Sequence, residues 1–305
     1  MTWLGFSGAV RRVSPRCGVV LCALLVLPQA LVLAGTLENE HFQRTWERTD
    51  RPVSEGAASR SWIWGPEPIS PVIREPYAEA PGGEREVQYF DKSRMEITHP
   101  DSGDPASIWY VTNGLLVYEL IIGNVQVGDT SFDYVGPAAI PVAGDLDDPN
   151  SPTYATFSPM YESNLLAAPP REVGTVIAER VSRHGIVRTD PELASLGIEV
   201  AYLDETTNHA IAAPFWGFMN ATGPVYEGET LVTAQLFENA FFGTGRPITE
   251  AYWASVRVGG TLHDVLLQCF ERRCLTYTPG NPDGFVVEAG NVGLHYFNWR
   301  YAVAE

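Results

Sequence analysis

Clustered acidic residues are the first candidates for chemistry in this sequence. The stretch GDLDDPNSPTY at 144–154 places Asp145, Asp147, Asp148 and Asn150 close together, and their oxygens could bind a hard cation such as calcium. The spacing begins like an EF-hand loop but lacks its central glycine and its distal bidentate glutamate. The alternative is a solvated turn, because Asp, Asn and Pro favour turns. A weak Ca²⁺ site is therefore the one cofactor hypothesis, and otherwise no cofactor is expected.

Glycoside hydrolysis is a second chemistry that acids could perform, and it needs two carboxylates flanking a sugar bond. No acid stands in a motif that fixes its role, and a chain with 37 acids brings some pair together by chance. A zinc hydrolase is disfavoured, because the histidines form neither H-E-x-x-H nor H-x-H. The candidate carboxylates are Glu96, Glu119, Asp204, Glu205, Glu250 and Glu288.

Tryptophans give the best indication of a binding function. Flat aromatic rings are a usual surface for holding sugars, and indole rings can lie partly exposed to water. Trp62 and Trp64 would share one face of an extended segment. The alternative, that the rings fill the core, is favoured for most of them. The predicted ligand-binding residues are Trp62, Trp64, Trp109, Trp216, Trp253 and Trp299.

Cys269 and Cys274 are the two cysteines outside the N-terminal leader. In QCFERRCLTYTP at 268–279, alternating residues predict a β-hairpin in which the cysteines face each other. An exported chain would meet an oxidising compartment, so we predict a disulfide; the alternative is two small buried hydrophobes. Tyr89 and Arg94 hold the matching positions in the similar stretch QYFDKSRMEITHP.

Five landmarks recur in the same order in the two halves of the chain, which predicts a duplicated unit. The fold class predicted is α+β, with two related β-hairpin-plus-helix units that flank a β-rich middle segment. The landmark pairs are 46–56 with 216–228, 64–70 with 243–249, 81–83 with 258–260, 88–100 with 268–279, and 113–120 with 291–299. The predicted boundaries are a signal peptide at 1–34, repeat unit 1 at 35–120, a middle segment or insert at 121–213 and repeat unit 2 at 214–305.

The middle segment has no counterpart within the repeated unit. Val173, Val176, Ile177 and Val181 recur at helical spacing, which predicts a helix over 172–183. The stretch LGIEVAYLD, which follows, is typical of a strand.

The first 34 residues combine three arginines with an apolar run and small residues before the expected cleavage point, as signal peptides do. A membrane anchor is the alternative, although the apolar run is short for one. Removing this leader changes the net charge from −17 to −20. Such a surface repels phosphate backbones and anionic lipid, which argues against nucleic-acid partners and against docking on anionic membranes. No membrane insertion is expected after signal cleavage.

The motifs WxRTDxPV, QYFDKxRME and FERRxLTYTP resemble those of an uncharacterised family of secreted bacterial proteins. More distantly, the order of turn, hairpin and helix is similar to that of LGFP-type cell-wall repeats, although WGPEP and GTGRP stand in place of Leu-Gly-Phe-Pro. The resemblance implies a secreted or envelope-associated protein. We therefore expect a non-catalytic module that binds a cell-wall polysaccharide or a surface protein. The alternative is a secreted, glycosidase-like hydrolase with a carboxylate pair in the cleft between the repeat units.

Overall fold

The computed structural model describes residues 35–164 and 171–301, so the predicted signal peptide lies outside the described residues. The fold is mixed α+β, which confirms the predicted class. The helices are α1 (Glu40–Thr49), α2 (Arg51–Ser54), α3 (Leu116–Ile122), α4 (Tyr154–Asn164), α5 (Pro191–Ala194), α6 (Ala213–Met219) and α7 (Val292–Tyr301). The strands are β1 (Ile73–Pro76), β2 (Glu84–Tyr89), β3 (Arg94–Ile97), β4 (Thr112–Asn113), β5 (Asn124–Gln126), β6 (Phe132–Tyr134), β7 (Glu179–Val181), β8 (Val187–Thr189), β9 (Val200–Asp204), β10 (His209–Ala212), β11 (Thr222–Glu227), β12 (Thr230–Gln235), β13 (Tyr252–Val258), β14 (Thr261–Cys269), β15 (Cys274–Tyr277) and β16 (Val287–Ala289).

Two antiparallel meanders form the main sheets. The first has the order β1-β2-β3-β4, and the second contains the corresponding order β13-β14-β15-β16. A helix follows each meander, α3 after β4 and α7 after β16. The second sheet is extended by β7, which lies parallel to β13, and by β8. The pairs β5-β6, β9-β10 and β11-β12 form separate two-stranded ladders.

The two central hairpins have the same register. Tyr89 pairs with Arg94 in the first, and Cys269 pairs with Cys274 in the second. A disulfide joins Cys269 to Cys274, as the alternation of residues predicted. The tips agree as well, since each is closed by a 2.8 Å bond between backbone groups: Phe90 N to Ser93 O and Phe270 N to Arg273 O.

Each helix packs onto the hairpin of the other half. The amide of Tyr118, in α3, donates to the carbonyl of Glu271 at the tip of the second hairpin, at 3.0 Å. The amide of Leu294, in α7, donates to the carbonyl of Asp91 at the tip of the first hairpin, at 3.1 Å. Both contacts use first-turn amides, which have no partner within their own helix. The two halves are therefore reciprocally connected, and one hydrophobic cluster includes residues from both.

The landmark Pro-Val-x-Glu-Gly does not have the same structure in the two halves. In the first half it starts the helix α2, where Pro52 occupies an initial position that suits its fixed φ. In the second half Pro224 lies within the strand β11, which turns at Gly228 into β12. Gly228 has a φ of +60°, a conformation that the hairpin turn requires and glycine adopts readily.

The middle segment is rich in short strands, but the helix predicted over 172–183 is wrong. Val173 is exposed, and Gly174 has a φ of +87°, which interrupts any helix at its start. The stretch instead contains β7, whose neighbour in the sheet is β13. Its valines satisfy a helical period by chance, and sheet pairing decides their structure. The strand predicted at 196–204 is present as β9.

Gly293 lies where α7 meets the first hairpin, and we expect Gly293→Ala to destabilise the protein. A Cβ atom there would lie 2.0 Å from the Phe90 carbonyl oxygen and 2.6 Å from that of Ser93. Because both obstacles are backbone atoms, the helix must move, and the free energy of unfolding should fall by about 1–3 kcal/mol. Urea unfolding followed by circular dichroism measures the change.

Gly217→Ala is the matched control, since Gly217 lies in helix α6 with no atom within 4 Å of an added Cβ. Alanine should there stabilise the protein by up to about 1 kcal/mol, because it favours helix. Equal stability of the two variants would contradict the close packing of α7 on the hairpin.

Candidate functional site: an aromatic strip beside an acidic cleft

The six predicted tryptophans are divided between the core and the surface. Trp64, Trp253 and Trp299 are buried, so their faces are not available to a ligand from solvent. Trp253, for example, packs in the core and donates its Nε1 to the Ile177 carbonyl. Trp62 and Trp216 are half-buried, and Trp109 is 45% exposed.

Trp109 and Trp216 belong to one row of rings, which we call the aromatic strip. The strip consists of Tyr202, Trp216, Phe241, Phe242 and Trp109. Tyr202 and Trp216 stack with ring centres 4.0 Å apart, and Phe241 lies 6.1 Å from Trp216. The next residue, Phe242, meets Trp109 edge-on at 5.5 Å. The strip was not predicted, although two consecutive phenylalanines in a polar turn were a signal for it.

Arg272, at the tip of the second hairpin, positions the centre of the strip. It donates to the carbonyls of Phe241 and Phe242 at 3.1 and 2.8 Å, and its guanidinium lies 5.9 Å from the Trp109 ring centre. Burial lowers the pKa of Arg272 below its ordinary value. The strip therefore depends on the same hairpin that carries the disulfide.

A cleft of about 490 Å³ adjoins the strip and shares Phe242 with it. One wall is helix α1, and the opposite wall is the turn between β11 and β12 together with residues 236–238. Residues 106–108 and Val111 also line the cleft, and the lining includes Ile63 and Trp64, which are buried and present almost no surface to solvent. The volume is within the range of small-ligand sites.

The motif WxRTDxPV builds much of this cleft. Trp46 donates its Nε1 to the Gly65 carbonyl at 2.8 Å, while Arg48 and Thr49 line the cleft. Asp50 is buried behind them and accepts bonds from the amides of three consecutive residues, Ile63, Trp64 and Gly65. Burial raises the pKa of Asp50 to about 6, against the opposing effect of these amides. The motif is visible in the sequence, but its role in forming the cleft was not predicted.

Arg48 is the main ionic group inside the cleft. It donates to the carbonyls of Leu236 and Gln235 at 2.8 and 3.0 Å. It also lies 3.2 Å from a carboxylate oxygen of Glu227 and 3.4 Å from one of Glu238. One guanidinium is therefore shared by two carboxylates and two backbone carbonyls.

The acidic loop at 144–154 attaches to the turn between β13 and β14. Asp145 accepts from the amides of Gly259 and Gly260, both at 2.9 Å, and Asp148 accepts from the amide of Arg257 at 2.8 Å. The Arg257 side chain pairs with Asp147 and Asp145. The backbone amide of Asn150 donates to the Asp148 carboxylate. These acids therefore serve as partners of a hairpin turn, and the described ranges contain no group of three His, Cys, Asp or Glu arranged to hold a metal ion.

Two of the candidate catalytic acids meet, but they do so in the core. Arg94 lies between Glu96 and Glu119, with its Nε 2.7 Å from Glu96 and its Nη2 3.6 Å from Glu119. All three are buried, so a polymer cannot reach them. Burial raises the pKa of Glu119, and Tyr296 donates its hydroxyl to that carboxylate.

Asp204 and Glu205 are consecutive at the end of β9, and Glu250 contacts His209, the residue that pairs with Asp204 in β10. Asp204 pairs with Arg246 at 2.6 Å, and Glu250 lies 3.1 Å from His209. Glu205 is exposed in the turn between β9 and β10, and Glu288 lies in the edge strand β16. None of the six predicted carboxylates lines the cleft.

Glu75 extends the buried ion network from the first sheet to α7. Its carboxylate accepts from the Tyr89 and Tyr301 hydroxyls and pairs with Arg94 at 3.1 Å and Arg300 at 2.9 Å. Burial alone would raise the pKa of Glu75, but these four partners outweigh burial and hold the pKa below its ordinary value of 4.5. The network thus fastens the C-terminal helix to the first sheet.

Comparison of the chain with protein-family models, with curated proteins and with solved structures found no match in any of the three. Within the described ranges, no helix is both long and apolar enough to cross a membrane.

We expect Glu75→Gln to lower the free energy of unfolding at pH 7 by about 3–5 kcal/mol, because it leaves the buried Arg94 and the partly buried Arg300 short of a counter-charge. A depressed carboxyl pKa contributes stability above the unfolded value of 4.5 and loses it as pH falls through the folded value. The gap in stability between variant and wild type should therefore narrow as the pH falls below 4.5 and close once it has passed through the lowered pKa of Glu75. Urea unfolding at a series of pH values measures it.

Glu86→Gln is the control, because Glu86 lies on the neighbouring strand and pairs with the exposed Arg74 at 3.4 Å. Its loss should cost at most about 1 kcal/mol. A Glu75 variant as mild as this control, or a gap independent of pH, would show that the network does not hold α7.

Proposed function

We propose that this protein is a secreted, non-catalytic binding module that holds an extended glycan along the aromatic strip and into the cleft. The observation that carries the proposal is the junction of the two at Phe242, which lines the cleft and packs against the exposed Trp109. Aromatic faces bind the apolar faces of sugar rings, while nearby polar groups take the hydroxyls. The strip and the cleft together offer both kinds of surface.

The lining of the cleft favours binding over hydrolysis. A glycosidase needs one carboxyl that carries a proton near neutral pH, and its pKa must be raised. Among the described residues the carboxyls with a raised pKa are Asp50, Asp91 and Glu119. None of the three lines the cleft. The carboxylates that do line it, such as Glu227 and Glu238, share the Arg48 cation.

The partner we propose is a cell-envelope polysaccharide. The N-terminal leader supports export, and a charge of −20 after its removal supports a ligand that is not polyanionic. We also propose that the two meanders descend from one duplicated unit. Their common strand order, the equal register of their hairpins and the reciprocal contacts of their helices support this.

We expect Trp109→Ala to weaken retention on the polysaccharide that binds the wild-type protein by about 3- to 10-fold, the effect of losing one aromatic contact. The assay is co-sedimentation of the mature protein with insoluble peptidoglycan, cellulose, chitin and chitosan. Because Trp109 is exposed, the fold should be unaffected.

Tyr134→Ala is the matched control, since Tyr134 is an aromatic residue that is 75% exposed on the separate strand β6. It should bind as the wild type does. Failure of the wild-type protein to sediment with any support would refute glycan binding. Equal losses in the two variants would instead show that the strip is not the site.

A further inference from the structure

Negative charge dominates the mouth of the cleft. The side chains of Glu227 and Glu238 are 52% and 45% exposed, whereas Arg48, which pairs with both, is only 19% exposed. The two Nη atoms of Arg48 also donate to the carbonyls of Leu236 and Gln235. A ligand approaching from solvent therefore meets carboxylates before it meets the guanidinium.

Neighbouring pairs do not cancel this excess. Four glutamates and two arginines line the cleft. Glu229, one of the four, shares the cation of Arg51 with Glu55. Arg44 donates to a backbone carbonyl, and Glu47 accepts from the neutral amide of Gln43. The local balance is thus negative, and it favours a cationic ligand.

A buried hydroxyl without a hydrogen-bond partner also favours a ligand in this cleft. Thr49 lines it and is only 5% exposed, yet its hydroxyl has no hydrogen-bond partner in the protein. A buried hydroxyl without a partner costs about 1–3 kcal/mol, and a polar ligand atom would recover that loss. The Phe242 ring adds a face over which a cation is attracted.

We propose that Glu227 and Glu238 receive an ammonium group of the ligand, so that the glycan bound is one with free amino groups, as in a non-acetylated hexosamine polymer. This inference rests on the proposed glycan binding and adds the charge of the ligand to it. An ammonium is a compact cation with three donors, which suits two adjacent carboxylates. An acetylated amino sugar lacks this charge and would leave both carboxylates without the additional partner.

The test compares two hexamers of the same β-1,4-linked backbone, fully deacetylated chitosan and fully acetylated chitin, by calorimetric titration of the mature protein. The deacetylated hexamer should bind about 5-fold or more tightly, at a pH of about 5.5 where its amines are charged. Its affinity should fall as the salt rises from about 20 to about 300 mM, because exposed ion pairs are screened. The double variant Glu227→Gln/Glu238→Gln should lose the preference.

The double variant Glu172→Gln/Glu192→Gln is the control, since it removes two exposed glutamates away from the cleft and should keep the preference. Thermal unfolding of both variants checks that the fold is intact. Equal binding of the two hexamers, or a preference that survives Glu227→Gln/Glu238→Gln, would overturn the inference while glycan binding stands. Absence of binding to the deacetylated hexamer also overturns it, and absence of retention on every polysaccharide overturns the proposed function as well.

Discussion

The rest of the structure depends on the reciprocal packing of two helices, in which the helix of each half contacts the hairpin tip of the other half. Helix α3 donates to the tip of the second hairpin at Glu271, and α7 donates to the tip of the first at Asp91. The next residue of the second tip, Arg272, bonds the carbonyls of the aromatic strip. A contact that fixes the fold thus also fixes the surface that we propose binds glycan.

The two hairpins have the same geometry but are held by different forces. In the second, a covalent bond joins Cys269 to Cys274, and in the first Tyr89 and Arg94 belong to an ion network. A buried network of charges costs desolvation and is stable only when every partner is present. Glu75 completes the network, because its carboxylate pairs with Arg94 in the first sheet and with Arg300 in the last turn of α7.

Local patterns in the sequence were sufficient to predict some of these features. The alternation around Cys269 and Cys274 predicts a hairpin, because strand pairing there spans only a few residues. The aromatic strip could not be predicted in this way, since Tyr202, Trp216 and Phe241 come from a strand, a helix and a turn that only tertiary packing brings together. Patterns also misled where sheet pairing decided the structure, as at 172–183. The acidic loop at 144–154 is defined by its partner Arg257, which lies more than a hundred residues away in the sequence.

The long separation in sequence between the first sheet and α7 has a consequence for the order of folding. Domains commonly fold as units during synthesis, beginning with their N-terminal parts. Here the first sheet keeps its charged interior uncovered until Tyr296 and Arg300 have been made, because those side chains close it. The residues between β4 and α7 must therefore be made before the first sheet can close, so the half that is made first completes its packing last.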